Sequence, residues 1–114
     1  MTTVERFFEV RGKVQRVMFR QTVIRAMRTR GLTGGASNDR ADRTLVRLTL
    51  RGDSDAVEEL VGELRSGREL NDWGARAAAV MEVERSCGVA ANAHQVTTEN
   101  VDNRDWNPNV TMYI

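Results

Sequence analysis

The stretch from Arg11 to Gln21, RGKVQRVMFRQ, gathers four cationic side chains (Arg11, Lys13, Arg16 and Arg20) around one glycine and runs into a helical pattern. Gly12 permits a tight turn after a strand-like run. A helix starting near Phe19 leaves about four amide hydrogens unpaired in its first turn, and its dipole there favours negative charge. A loop curling over that end adds further amides and can form a phosphate nest. Arg20, at the helix start, can reach back and grip two phosphate oxygens. The chemistry this suggests is anion binding. On the residues alone a solvated basic turn accounts for the same stretch, because short turns before helices are common.

The rest of the chain offers few catalytic side chains. Cys87 is the sole cysteine and His94 the sole histidine. One cysteine forms no internal disulfide, and one such pair makes no metal cluster. We read them as a buried or incidental cysteine and a loop histidine, and expect neither metal nor cofactor.

Elements must hold the basic stretch in place. In ERFFEVR, residues 5–11, Phe8 and Val10 fall on one face, with Phe7, Glu9 and Arg11 on the other, which predicts a strand. Phe19, Thr22, Val23, Ala26 and Met27 then form one helical stripe, with Gln21, Arg25 and Arg28 pointing out and Gly31 as the stop. TGGASNDRADR allows a short strand around Ala36. TLVRLTLR, residues 44–51, is the clearest strand. Asp53 or Ser54 caps a second helix with the stripe Val57, Leu60, Val61 and Leu64. Met81 and Val83 mark a further strand, residues 86–109 a long polar loop, and VTMYI a short strand at the end. Two one-sided helices need a common surface, and a half-polar antiparallel sheet supplies it. The expected fold is α+β: a two-layer ferredoxin-like sandwich, βαββαβ with a short extra C-terminal strand, both helices on one face of a mostly antiparallel sheet. At 114 residues it forms a single domain, 1–114.

VRGKVQRVMFR resembles the acylphosphatase signature G-x-V-Q-G-V-x-F-R, with Gly12, Val14, Gln15, Val17, Phe19 and Arg20 in register. GLTGGASN, residues 31–38, resembles the second signature of that family, G-L-x-G-W-V-[RK]-N, through Gly31, Leu32, Gly34 and Asn38. The step of eighteen residues from Arg20 to Asn38 equals the family's spacing. The resemblance implies hydrolysis of acyl phosphates to a carboxylate and inorganic phosphate. It implies a phosphate-binding loop of Gly12, Lys13, Val14, Gln15, Arg16, Val17, Met18, Phe19 and Arg20, with Arg20 neutralising charge and Asn38 orienting water. An acyl phosphate has a good leaving group, so positioning and charge stabilisation can suffice without a nucleophile or metal. A weak or inactive module that binds phosphate-bearing ligands is the alternative.

Four departures accompany the match. The family glycine after Gln15 is Arg16; if that position needs positive φ, a non-glycine residue costs roughly 1 kcal/mol or more and can tilt the neighbouring amides. Alternatively Arg16 points outward and adds positive potential at the mouth. Gly35 and Ser37 replace a tryptophan and a basic residue, which implies a looser wall around Asn38. The hairpin after Asn38 is about two residues longer than the family's, with Asp42-Arg43 at its turn, and the link 86–109 is also long. Trp73 and Trp106 are read as packing residues.

Charge is divided unevenly: residues 1–52 carry twelve Lys/Arg against four Asp/Glu, and residues 53–114 five against twelve. This fits a basic anion-binding face, a nucleic-acid patch or compensation between contacting halves. No stacking platform accompanies the arginines, so nucleic acid is not expected as a partner. No stretch is long and apolar enough for a membrane span, and the N-terminus shows no export signal. The expectation is a cytoplasmic monomer whose partners are a small acyl phosphate and the phosphate or sulfate ion.

Overall fold

The computed structural model describes residues 2–103 and 107–114. The chain runs β1 (Thr3–Lys13), α1 (Phe19–Thr29), β2 (Thr33–Asn38), β3 (Leu45–Asp53), α2 (Ser54–Arg65), β4 (Arg76–Val83) and β5 (Val96–Thr97), with three short 3-10 turns after β4. The sheet order is β4-β1-β3-β2-β5 and each neighbouring pair is antiparallel. β1 and β2 therefore run parallel with β3 between them, and α1 is the crossover that joins them. This is the expected two-layer sandwich.

Alternation decides which side chains meet the helices. Phe8 pairs with Leu48, which pairs with Ala36, so these three share a face; Val10 and Val46 lie beside them. Onto that face pack Phe19, Val23, Ala26 and Met27 from α1 and Val57, Leu60, Val61 and Leu64 from α2, in one buried cluster. The Asp53 carboxylate accepts from the Ala56 amide, capping α2, and Gly31, at φ 70, follows the end of α1 as a glycine stop.

The short strand that follows β4 is Val96–Thr97, inside the region expected to be a loop, and it extends the edge of β2. VTMYI contributes only a bridge, Met112 to Asn71. The sequence pattern hides β5 because two residues carry no periodicity. Phe7 also departs from expectation. It lies on the face opposite the helices yet is buried. The segment after β4 crosses that face: Gly88 sits against the Phe7 ring, and the Arg85 guanidinium lies 5.2 Å from its centroid.

The uneven charge is compensated in part by contact. Arg6 pairs with Glu58 and Glu82, Arg30 with Glu59, and Arg25 and Arg28 both with Asp102. Each joins a basic residue of the first half to an acid of the second. No helix among the described residues is long and apolar enough to cross a membrane.

Candidate active site

The loop between β1 and α1 owes its shape to two left-handed residues, Arg16 at φ 66 and Met18 at φ 58. Met18 is the residue that caps α1, with no side-chain cap, and no acid stands in the first turn. The first intrahelical bond runs from the Thr22 amide to the Met18 carbonyl, so the amides before it are not consumed within the helix. Position 16 thus takes the conformation that glycine prefers, and Arg16 bears a backbone cost of roughly 1 kcal/mol or more.

Hydrogen bonds hold the loop from both flanks. The Gln15 amide nitrogen donates to the carbonyls of Asp42 and Leu45, both at 2.9 Å, and of Asp39 at 3.1 Å. This fastens the loop to the β2–β3 hairpin. Asn71, fully buried, donates to the Val17 carbonyl and the Thr22 hydroxyl, each at 2.9 Å. Its carbonyl accepts from the amides of Trp73 and Ala75. Val14, Val17 and Phe19 anchor the loop in the core.

The loop forms one wall of a pocket of about 560 Å³, lined by Val14, Arg16, Met18, Phe19, Arg20, Gln21, Asn38, Trp73, Gln95 and Val96. Arg20 and Asn38, predicted as a pair, meet here. Gly12 and Lys13 do not line the pocket. They close β1 opposite Ala77 and Arg76, and the Gly12 amide donates to the Thr44 carbonyl. Gly12 stands at φ 142, where a Cβ would strike the β4 backbone. Gln15 and Val17 support the loop from outside the pocket. Gln21, expected to point out, is buried at the pocket, because the chain after β4 folds back over α1. Trp73 is a pocket residue, 38% exposed, rather than a packing one. Trp106 lies outside the described residues.

The electrostatics favour an anion. Among the described residues, Arg16 has no carboxylate partner. The acid next to Asn38 is occupied elsewhere: Asp39 holds Arg47 at 2.7 Å and caps its own turn, and these bonds lower its pKa, the one to Arg47 foremost. Asp42 is lowered to about 2 by its bonds to Thr44 and by Arg11. Among the described residues the Asn38 side-chain carbonyl is buried without a hydrogen-bond partner, a state that ordinarily costs about 1–3 kcal/mol.

The wall beside Asn38 comes from a residue the sequence did not single out. The Gln95 side-chain oxygen accepts from Arg20 Nη1 at 2.8 Å and from the Asn38 amide at 2.9 Å. Gln95 in turn donates its own amide to the Ser37 hydroxyl at 2.9 Å. His94 is buried against Gly35, with Nδ1 2.9 Å from the Ser37 hydroxyl and Nε2 2.8 Å from the Thr49 hydroxyl. Thr49 gives its proton to the Val89 carbonyl. Nε2 therefore carries the imidazole hydrogen, and Nδ1 accepts from Ser37. Burial pushes the His94 pKa down to about 4. The expected looseness at Gly35 and Ser37 is thus filled by His94. Cys87 is exposed and free. The only signal for Gln95 was its place beside the sole histidine.

Comparison with known proteins agrees with this fold. The crystal structure of acylphosphatase from Bacillus subtilis matches with a TM-score of 0.60 over 82% of this chain and 93% of that one, at 21% identity. At that identity the likeness is one of fold. A search of curated proteins by sequence gives no match. The Acylphosphatase family model matches residues 6–86, well over half of the chain and both signature stretches, and this protein belongs to the acylphosphatase family.

Proposed function

We propose that this protein is an acylphosphatase that hydrolyses the carboxyl–phosphate bond of small acyl phosphates. Family and fold support acyl phosphate hydrolysis in general. The observation that carries the finer reading is that Arg20 and Asn38 line one pocket with the left-handed loop 14–18. In this reading the phosphoryl oxygens rest on amides of the loop and of the first turn of α1, drawn from residues 14–20. The Arg20 guanidinium neutralises their charge. Water held by the Asn38 carbonyl attacks phosphorus. A new P–O bond forms as the acyl O–P bond breaks, the electron pair leaves on the carboxylate, and the water proton passes to solvent. The protein needs only to position and stabilise charge.

The same reading takes the enzyme as metal-independent and as one cytoplasmic, monomeric domain over 1–114. The left-handed backbone at Arg16 keeps the turn that the loop requires, since the arginine accommodates the conformation instead of abolishing it.

Hydrolysis of benzoyl phosphate in ¹⁸O-water, with and without a chelator, tests the proposal. Label is expected in phosphate and not in benzoate, with turnover unchanged by chelation. Label in benzoate, or loss of turnover on chelation, overturns the mechanism.

A further inference from the structure

Gln95 stands nine residues beyond the last residue matched by the family model, which ends at 86. Its side-chain oxygen nevertheless sits between the two residues assigned to the chemistry. Arg20 comes from the start of α1 and Asn38 from the end of β2. These elements are joined by main chain only through the length of α1 and the turn after it. A guanidinium on a long side chain loses considerable rotamer freedom when fixed. An acceptor that holds one of its nitrogens reduces what substrate binding must order.

We infer that Gln95 is a positioning residue, which aims Arg20 and registers it against the Asn38 end of β2. The inference rests on the acyl phosphate reading of the site. Its physical basis is the shared acceptor: one oxygen takes a hydrogen bond from Arg20 at 2.8 Å and from the Asn38 amide at 2.9 Å. The placement of Gln95 is itself fixed. Its amide donates to Ser37, Ser37 donates to His94, and His94 donates to Thr49 on the neighbouring strand. The side chain of Asn100 adds a bond to the Gln95 carbonyl. Gly35 and Ser37, where the chain departs from the second signature, are the residues that admit this arrangement. A Cβ at position 35 would stand 2.5 Å from the His94 Cβ, and the hydroxyl at 37 bonds both His94 and the main-chain amide of Gln95. The two departures and the long segment after β4 therefore form one device, which replaces the family's wall with a side chain that touches Arg20 directly.

The test is a double-mutant cycle on Gln95 and Arg20, read by affinity for inorganic phosphate and by turnover of benzoyl phosphate. Gln95→Met, which keeps length and removes the acceptor, is expected to weaken phosphate binding and kcat/KM by about tenfold. In an Arg20→Gln background the same change is expected to have almost no effect on phosphate affinity, because its target is gone. Equal losses in both backgrounds mark Gln95 as merely structural and overturn the inference, as does a Gln95→Met protein equal to the parent. If Gln95→Met is unfolded, Ser37→Ala, which releases the Gln95 amide, carries the same non-additivity with a smaller loss; additivity there overturns the inference too. Phosphate affinity separates this from the enzymatic reading. A parent that binds phosphate through coupled Gln95 and Arg20 but does not hydrolyse benzoyl phosphate overturns the activity and leaves the positioning role standing.

Discussion

The imidazole of His94 lies in the space that a side chain at Gly35 would occupy, with a Cβ there falling 2.5 Å from the His94 Cβ. β2 is thereby fitted to the segment that crosses the outer face of the sheet. Gly35→Ala is expected to destabilise the fold by about 1–3 kcal/mol, the range for overpacking a filled site. Denaturant midpoints measure it. In a His94→Ala background the cost should shrink markedly, since the clashing ring is absent. An undiminished cost would place the strain elsewhere.

His94 also makes stability depend on pH. Its folded pKa is lowered to about 4 from the usual 6.5, first by burial. Between these values the unfolded chain binds the proton more readily than the folded one. Stability from this group is therefore full above pH 6.5 and falls as pH drops towards 4. The carboxylates Asp39 and Asp42, also lowered, act mainly below that window. Urea midpoints for the parent should decline from pH 6.5 to 4 more steeply than those for His94→Gln. Parallel declines would show that His94 is not the group involved.

Much of this architecture could be read from residue pattern, because β1, β3 and the two helices each have a clean period of two or 3.6 residues. The pairing of Arg20 with Asn38 was legible through spacing within two signatures. What escaped depends on contacts distant in the chain. Phe7 and Gln21 look solvent-facing from their own strand and helix, and only the segment after β4 buries them. Gln95 carries no local signal beyond its place beside the sole histidine, since it acts by lying opposite Ser37 and Arg20. Trp73 reached the pocket because the buried Asn71 shapes the turn before it.

Asn71 uses four hydrogen bonds, to Val17, Thr22, Trp73 and Ala75, at full burial. Asn71→Ala should cost about 2–4 kcal/mol, because several buried partners lose their bonds together. Thermal unfolding measures the loss. Asn71→Asp should not restore stability, since a carboxylate cannot donate to the Val17 carbonyl. A loss under about 0.5 kcal/mol, as for an ordinary surface change, would contradict the role given to Asn71.

Arg16 separates backbone from charge. Arg16→Gly relieves the left-handed conformation and is expected to raise stability by up to about 1 kcal/mol. The same variant removes a cation from the pocket mouth. We expect KM for benzoyl phosphate to rise several-fold at low salt, with the difference from the parent shrinking as ionic strength increases. Steady-state kinetics at two salt concentrations measure this. A gain in kcat with unchanged KM would show instead that the arginine distorts the loop.

In the proposed mechanism Arg20 and Asn38 act together to hydrolyse an acyl phosphate. Turnover of benzoyl phosphate by the parent, Arg20→Gln, Asn38→Ala and the double variant tests it most directly. Each single change is expected to lower kcat by roughly 10²–10³-fold, the scale of losing one preorganised charge-stabilising or water-orienting group. A parent no faster than the double variant would contradict the account.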